Sequence, residues 1–560
     1  MTNLPIFLRS VSLSFGTLAL LTNILLLLGY LFLGYEEHLH SDSAVKLLLA
    51  EEIIRTGELL PASWHFVNDD LWLLSAHWFA LPIVAFAPLS PFAHGLAGAM
   101  SASVLAVSLW TFLAAVSTSL SSRIWLMAVF FSGISGLIAE GLFGQASYSM
   151  IFAAMLVLLA AVIRVLEGEQ STRHWMILVA LTVALQIATN PLRGIVFCFL
   201  PLALALSFVA WKCCLKEQPG LSEASAETRT IHLAKYRALA GMMLAGVLSG
   251  FIIRAILAPG LLQTPGVMSD VLQVNAMQEF PSTFATLLKG FFASLGSRPN
   301  SAPALSPEGI YHLLRLLMAV IAVSLAVHAV LRGLVDSRPS RCLFTVFAAS
   351  SFLLTAFICI STNLVSLSPD IEGIRYLLPG TVLLLILIFI DSSDWLKSPV
   401  KATLALFLTL GFAASGYSNM FLVDVASKWK TQEQDAYAWQ SRELVSILRE
   451  QDLKYGYASY WLANSATVQS ADAVKVRPIL FKSGLPAPRF WLSSNHWYSP
   501  SAWDGETFLA LTTEEAKLID QNRLELKALK PTRVIRKRGF EVWVFPVNLS
   551  TILSWGSQTQ

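Results

Sequence analysis

About eleven stretches of this chain are each apolar over roughly the 20 helical residues needed to cross about 30 Å of hydrocarbon, and that repetition limits the fold more than any motif does. They begin near Val11, His94, Arg123, Tyr148, His174, Ile195, Ala238, Tyr311, Cys342, Tyr376 and Ala402. With no water in the bilayer core to bond the backbone, only helices or closed barrels can cross it. Composition agrees: 55% of the residues are hydrophobic, 13% are charged and the mean hydropathy is +0.61, which excludes an ordinary soluble domain. The chain is therefore expected to be a polytopic α-helical membrane protein, a bundle of about eleven transmembrane helices.

Orientation follows from the basic residues, because short cytoplasmic loops are enriched in Lys and Arg. Placing the N-terminus inside sends Arg123, Arg164, Arg173, Lys212, Lys216, Arg229, Lys235, Arg237, Arg332, Arg338, Arg341, Lys397 and Lys401 to the cytoplasm. Residues 36–45, the loop at Glu140, the turn at Arg193, residues 259–308, the loop at Asp370 and, for an odd number of spans, the C-terminal tail then share the outer side. The first apolar run is too long for a signal-peptide core and no small-residue cleavage site closes it, so it reads as a retained helix. Cys198, Cys213, Cys214, Cys342 and Cys359 lie in spans or on the cytoplasmic side. The outer C-terminal region thus has no disulfide framework, and no C-x-x-C metal spacing exists.

Three parts separate along the chain. Residues 1–423 hold the membrane bundle. Within them, residues 35–91 form a first outer loop too long for a simple connection. In that loop Ala44, Leu47, Leu48, Glu51, Ile54 and Arg55 alternate at helical spacing, and residues 70–82, with Trp72, His77, Trp78 and Phe79, suit a second helix at the headgroup boundary. Both are expected to lie along the membrane surface. Residues 424–560 change composition and read as an extracytoplasmic α/β domain. It carries a helix over 433–449, strands over 474–481, 508–511 and 533–547, a helix over 513–522, and a hairpin turn at Lys537, Arg538 and Gly539.

Charges standing at the ends of apolar runs are the candidate site. The stretch EEHLHSDSAV, residues 36–45, follows the first run directly. Glu36 and Glu37 read as solvated boundary residues. Asp42 follows His38 and His40 and begins a helix, where a carboxylate either caps the first turn or faces a substrate. Asp69 and Asp70, in FVNDDLW, either cap the second loop helix or bind a ligand. Glu140 stands alone in an uncharged loop, and an acid at membrane depth is a functional hypothesis by default. Arg193, Arg254 and Arg375 lie at outer helix ends, where each either snorkels to the interface or forks onto phosphate oxygens.

A first helix, a long outer loop opening with an Asp, an acid in the second outer loop, the run Arg-Tyr-Leu-Leu-Pro (375–379) before a late span, and an outer C-terminal lobe together resemble the GT-C glycosyltransferase superfamily, which includes protein mannosyltransferases and aminoarabinose transferases. The resemblance implies a GT-C-like bundle in a bacterial inner (plasma) membrane. It implies transfer of a hexosyl or pentosyl group, with inversion, from a polyprenyl-phosphate donor to an extracytoplasmic glycan, lipid or protein. By the same resemblance Asp42 is the base that takes the acceptor proton, Glu140 is the second-loop acid and Arg375 meets the donor phosphate. Asp69 and Asp70 join the site by position, Arg193 is a further candidate for the phosphate, and His38 and His40 either help to fix the geometry around Asp42 or face water. The mannosyltransferases usually show Asp-Glu where this chain has Asp42-Ser43.

No G-x-x-x-x-G-K-[ST] or G-x-G-x-x-G cradle for a nucleotide is present, and nothing points to nucleic acid. A carboxylate set of this kind either holds Mg²⁺ or Mn²⁺ through oxygen or binds sugar hydroxyls. A transporter or flippase of lipid-linked sugars is the alternative class, although no internal repeat is visible. A membrane acyltransferase would need a buried catalytic histidine, and His328, mid-span without polar neighbours, reads as packing. The aromatics of residues 489–505 are either lobe core or a surface for stacking a sugar. The stretch YGYASYWLANSATVQSADAVKVRPI carries no assignable chemistry.

Overall fold

Among the described residues, eight helices are long and apolar enough to cross a membrane: Val11–His38, Pro91–Ala115, Ser149–Glu167, Thr172–Thr189, Pro191–Ala210, Leu233–Gly260, Pro307–Val335 and Pro339–Ser361. A further pair, Leu120–Phe131 and Gly136–Gly144, is bent by 94° at its break, and two shorter apolar helices cover Ile374–Ile390 and Ala405–Gly416. These segments follow the apolar runs of the sequence in order. The computed structural model describes every residue except 1–3, 117, 169–171, 213–222, 265–272, 298–301, 366–370, 392–398, 418–431, 520–529, 554 and 556–560. The loop expected at Asp370 and the junction expected at 423–424 lie outside the described residues.

Several spans begin where a polar cap precedes proline. In Ser90-Pro91, Asn190-Pro191 and Ser306-Pro307 the cap side chain accepts from a first-turn backbone N–H, while proline supplies a preset φ and lacks the N–H that would have no partner. The bent span has its own cause. Gly133 and Ile134 take left-handed conformations (φ 70° and 58°), after which Ser135 caps the new helix by accepting from the Ile138 N–H at 3.2 Å.

Arg315, inside the span Pro307–Val335, is only 2% exposed. A buried intramembrane cation ordinarily signals a functional group, yet here its partners are carbonyls. Nε donates to Gly296 O at 3.1 Å, Nη2 to Leu295 O at 2.8 Å and Ile134 O at 3.4 Å, and Nη1 to Gly411 O at 3.1 Å. Its guanidinium also lies 5.5 Å from the Phe412 ring centroid. Three of these carbonyls belong to residues just beyond a helix end, where the backbone needs an outside donor in hydrocarbon.

One end of the bundle collects basic residues. Lys212 Nζ donates to Leu334 O and Asp336 O, both at 2.7 Å, and Arg338 and Arg341 pair with Asp336. The other end carries the long loop and the C-terminal sheet. There the helix Ser41–Thr56 is buried along most of its 16 residues. An amphipathic helix lying on the membrane was expected; instead it is held between the bundle and the C-terminal region. What would have been its wet face is covered: Ser41 Oγ donates to the Tyr460 carbonyl, and Lys475 pairs with Glu51 at 3.2 Å. Glu52 accepts from Arg55, Ser63 and Ser494. The second loop helix is His77–Val84, shorter than the expected 70–82. Residues 68, 69 and 72 are left-handed (φ 55°, 57° and 56°), and left-handed residues of this kind end a right-handed helix.

The C-terminal sheet has six strands: β3 (Tyr455–Ser459), β4 (Lys475–Lys482), β5 (Leu485–Pro488), β6 (Thr507–Thr512), β7 (Arg533–Lys537) and β8 (Phe540–Phe545), in the order β5-β4-β3-β6-β8-β7. A separate pair joins β1 (His65–Val67) to β2 (Leu262–Thr264), tying the long loop to the chain after the Leu233–Gly260 span. β3 is parallel to both β4 and β6, and the remaining pairs of the six-stranded sheet are antiparallel. Gly456 in β3 is required by packing, since a Cβ there would meet the Phe508 ring at 2.5 Å. The hairpin falls at Arg538 and Gly539, both left-handed, as turn chemistry requires. The helix Tyr460–Gln469 joins β3 to β4, and neither β3 nor this helix was expected from the sequence.

Arg315→Leu should leave several carbonyls without donors and cost about 2–4 kcal/mol, because the unfolded state in the membrane recovers some partners. Arg315→Lys should recover part of it. Thermal unfolding of the detergent-purified variants checks this, and a wild-type midpoint for Arg315→Leu would show that the carbonyls are bonded otherwise.

Candidate active site

At the loop end of the bundle lies a cavity of about 140 Å³. Its walls come from six places: Asp42 and Lys46 on the loop helix, Val67, Asn68, Asp70, Trp72, Leu74 and Ser75 beyond it, Gln145 and Tyr148 where the bent span meets the next, Arg193 at one helix start, Arg375 at another, and Trp491 with Leu492 from the C-terminal region. Helix ends far apart in sequence therefore meet on one side of the bundle.

Asp42 is the second residue of its helix, and His40 occupies the cap position without a side-chain cap bond. The carboxylate is thus not an N-cap. Its Oδ1 accepts from the Tyr460 hydroxyl at 2.6 Å. Lys46, one helical turn later, falls on the same face. Its ammonium donates to the Asp42 carbonyl at 3.3 Å and to the Gln145 carbonyl.

Asp70 is buried, and both its oxygens are used: Oδ1 accepts from the Trp72 N–H at 2.8 Å and Oδ2 from Arg193 Nη1 at 2.8 Å. It therefore orients Arg193, whose buried Nε has no hydrogen-bond partner. Asp69 behaves differently. Its side chain is 69% exposed and paired with Arg254, which also donates to Ala188 O at 3.2 Å, so this pair ties loop to bundle and does not line the cavity. Arg375 lines the cavity with its guanidinium 5.7 Å from the Tyr376 ring centroid.

Glu140 and His40 lie next to the cavity without lining it. Glu140 Oε1 accepts from Tyr35 OH at 2.6 Å and faces His40 Nε2 at 3.2 Å, and Oε2 accepts from Tyr30 OH at 3.2 Å. Ser43 adds hydroxyl contacts to Tyr35 at 2.6 Å and to His40 at 3.3 Å. Gly144 is needed here: a Cβ would come within 2.6 Å of Glu140 Oε2 and Tyr30 OH. The cluster fixes the start of the helix that carries Asp42. Of the residues expected from sequence, the structure thus brings Asp42, Asp70, Arg193 and Arg375 to one cavity. It sets Glu140 and His40 behind the loop helix and Asp69 at the rim.

The cavity presents three cations, Lys46, Arg193 and Arg375, against two carboxylates, Asp42 and Asp70, and suits an anionic group. Burial brings the Lys46 ammonium down to about 8, with Asp42 and Glu140 opposing the shift. Burial also raises the Asp70 carboxyl despite the nearby Arg193 charge. At His40 burial favours the neutral ring, but the hydrogen bond and charge of Glu140 outweigh it and raise the pKa. Strain gathers here too: Asn68, Trp72 and Leu492, all lining residues, and Asp69 are left-handed (φ 55°, 56°, 47° and 57°). Such conformations cost about 1–3 kcal/mol each and cluster at ligand sites. Among the described residues no group of three or more His, Cys, Asp or Glu side chains is placed to hold a metal. Of the two acids that line the cavity, Asp70 has both oxygens bonded, to the Trp72 N–H and to Arg193, and Asp42 has Oδ1 bonded to Tyr460.

Sequence reasoning missed Lys46 and Tyr460, whereas Trp491 belongs to the aromatic run 489–505 that it left open between lobe core and a sugar-stacking surface. Lys46 had a usable signal, a lone cation four residues after Asp42 on a helix. Tyr460 had none. Because the Lys46 pKa is lowered, its charge is present below pH 8 and lost as pH rises through about 8. Binding of an anionic ligand should therefore weaken across that range. Lys46→Gln should bind more weakly at neutral pH and lose the alkaline limb, as read by ligand affinity against pH between 6.5 and 9.5, roughly 1.5 units on either side of that pKa.

No protein-family model matches the sequence, and neither does any curated protein. Solved structures do match. ArnT from Cupriavidus metallidurans in the apo state is 10% identical, with 95% of this chain and 98% of that chain covered at a TM-score of 0.52. ArnT from the same organism bound to undecaprenyl phosphate is 11% identical, with 94% and 97% covered and a TM-score of 0.49. The likeness to apo ArnT, over nearly the whole of both chains, gives the architecture: this is a polytopic membrane protein with a GT-C-like fold.

Proposed function

We propose that the chain is a GT-C glycosyltransferase that moves a hexosyl or pentosyl group from a polyprenyl-phosphate donor to an extracytoplasmic acceptor, a cell-envelope glycan, lipid or protein, with inversion. A shared fold does not by itself set function. The observation that carries the reading is one cavity, at a single end of the bundle, lined by the Asp42 carboxylate and by the guanidinium groups of Arg193 and Arg375. A sugar leaving a lipid phosphate needs cationic donors at the departing phosphate and a base at the attacking oxygen. A lipid tail can stay among the spans while its head enters at the helix ends.

In this reading Asp42 takes the proton of the acceptor hydroxyl as its oxygen attacks the anomeric carbon. The bond from that carbon to the phosphate oxygen breaks on the opposite face. Its electron pair passes to the phosphate, whose added charge is met by Arg375 and Arg193, with Lys46 alongside. Asp70 holds Arg193 in place; Glu140 and His40 hold the start of the loop helix. The placement of basic residues at the far end of the bundle supports an extracytoplasmic site in a bacterial inner membrane. Residues 1–423 then form the membrane domain and 424–560 the outer one.

Transfer from a polyprenyl-phosphate sugar by the purified protein is the direct test, and inability to consume any such donor overturns the class. Asp42→Asn keeps an oxygen for Tyr460 to bond but removes the base, and should lower kcat about 10²–10⁴-fold. Near-normal turnover would reject Asp42 as the base. Arg375→Ala should weaken donor use by about 1.5–3 kcal/mol, with Arg375→Lys recovering only part because it lacks the planar fork. Unchanged donor titrations in both variants would make Arg375 an interfacial anchor.

A further inference from the structure

The stretch 455–479, which carried no chemistry as sequence, folds as strand, helix and strand: β3, Tyr460–Gln469, β4. β3 has parallel neighbours on both sides, β4 reached directly through the helix and β6 reached later. That makes the carboxyl end of β3 the switch point of the sheet, where α/β folds gather functional groups. Tyr460 is the first residue past that end and the first of the helix.

Tyr460 touches two consecutive residues at the start of the loop helix. Its carbonyl accepts from Ser41 Oγ, and its hydroxyl donates to Asp42 Oδ1 at 2.6 Å. The ring is 4% exposed, with the Trp461 ring 5.3 Å away edge-on and the Arg489 guanidinium 5.3 Å from its centroid. Burial, together with the Asp42 charge and their hydrogen bond, raises the phenol well above its ordinary pKa, so it stays protonated and serves as a donor. With the helix start fixed from below by the Glu140 cluster and the carboxylate fixed from above by Tyr460, torsion of the Asp42 side chain is arrested. Oδ1 is committed to Tyr460, which leaves Oδ2 as the atom that takes the acceptor proton.

We propose that Tyr460 is a positioning residue for Asp42, so that the membrane bundle alone does not complete the active site and the C-terminal domain supplies the group that orients the base. The proposal rests on the reading of Asp42 as the base. A carboxylate free to rotate spends less time in a reactive geometry, and a misplacement of about 1 Å can cost up to about 10²-fold in rate. The lost interaction acts on the chemical step, so kcat should fall while KM for the donor holds.

The test uses the full-length protein in detergent with a polyprenyl-phosphate sugar as donor. Tyr460→Phe keeps the ring and its neighbours and removes only the hydroxyl. Its kcat should fall about 10–100-fold, with KM for the donor and the thermal midpoint unchanged. In single turnover, adding Tyr460→Phe to Asp42→Asn should cost far less than it does in wild type, because the two act as a unit. Lys475→Met removes the docking contact to Glu51 without approaching the cavity and should keep wild-type kcat. Three results overturn the proposal. Wild-type kcat in Tyr460→Phe while Asp42→Asn is inactive leaves the base in place and makes Tyr460 a docking contact. A joint change of kcat, KM and thermal midpoint in Tyr460→Phe, shared by Lys475→Met, assigns the effect to docking of the domain. Near-normal turnover by Asp42→Asn removes the base reading and the positioning role with it.

Discussion

The seating of the helix Ser41–Thr56 is the contact on which the candidate site depends. From the bundle side, Glu140 and its tyrosines grip His40 and Ser43; from the sheet side, Tyr460 takes hold of Ser41 and Asp42. Farther along, Glu52 gathers Arg55, Ser63 and Ser494 around one buried carboxylate. Burial opposes the charged form of Glu52, but those hydrogen bonds outweigh it and lower its pKa. Its contribution to docking is therefore present above the ordinary carboxylate pKa and is lost as pH falls through the lowered value. A helix fixed at both ends presents Asp42 and Lys46 to the cavity with little freedom.

The same low-dielectric surroundings sort the cations by task. Arg315 is sunk in the bundle and donates to the carbonyls of Ile134, Leu295 and Gly296, which lie just beyond helix ends and would otherwise need another donor. Arg193 is held by Asp70 at the cavity wall but keeps an unpartnered Nε, and Arg375 lines the same wall. Arg254 is occupied by Asp69 and two carbonyls. Position at a helix end is therefore not enough to place an arginine at the cavity: Arg193 and Arg375 line it and Arg254 does not.

Residues 67–75 show how local conformation is set by the site and not by propensity. A periodic reading extends the second loop helix back to Asp70, but Trp72, inside that range, is left-handed and ends the possibility. Asp70 accepts from the Trp72 N–H within this turn and so carries its carboxylate to Arg193. The stretch is held to the bundle by the Leu71 N–H, which donates to Thr189 O, and by Asn190 Nδ2, which donates to Asn68 O.

The membrane bundle, the long loop, the late strands and the charged candidates Asp42, Asp70, Arg193 and Arg375 were legible in the sequence. Transfer of apolar side chains from water is nearly additive along a helix, so apolar runs announce spans, and a charge at the end of such a run is conspicuous because its burial is costly. Other features had no local signature. Glu140 stood out as an isolated acid, but only the 94° break and the tyrosines around it reveal a residue that holds a helix in place. The burial of Ser41–Thr56 on its polar side depends on a sheet more than 400 residues away, as the 418-residue separation of Tyr460 from Asp42 shows. Tyrosine at a strand end is ordinarily core, and its sequence neighbours do not tell which carboxylate its hydroxyl will meet. Hydropathy belongs to segments and can be read one segment at a time. A hydrogen bond between two remote side chains belongs to the packing of whole elements, and only the tertiary structure decided it.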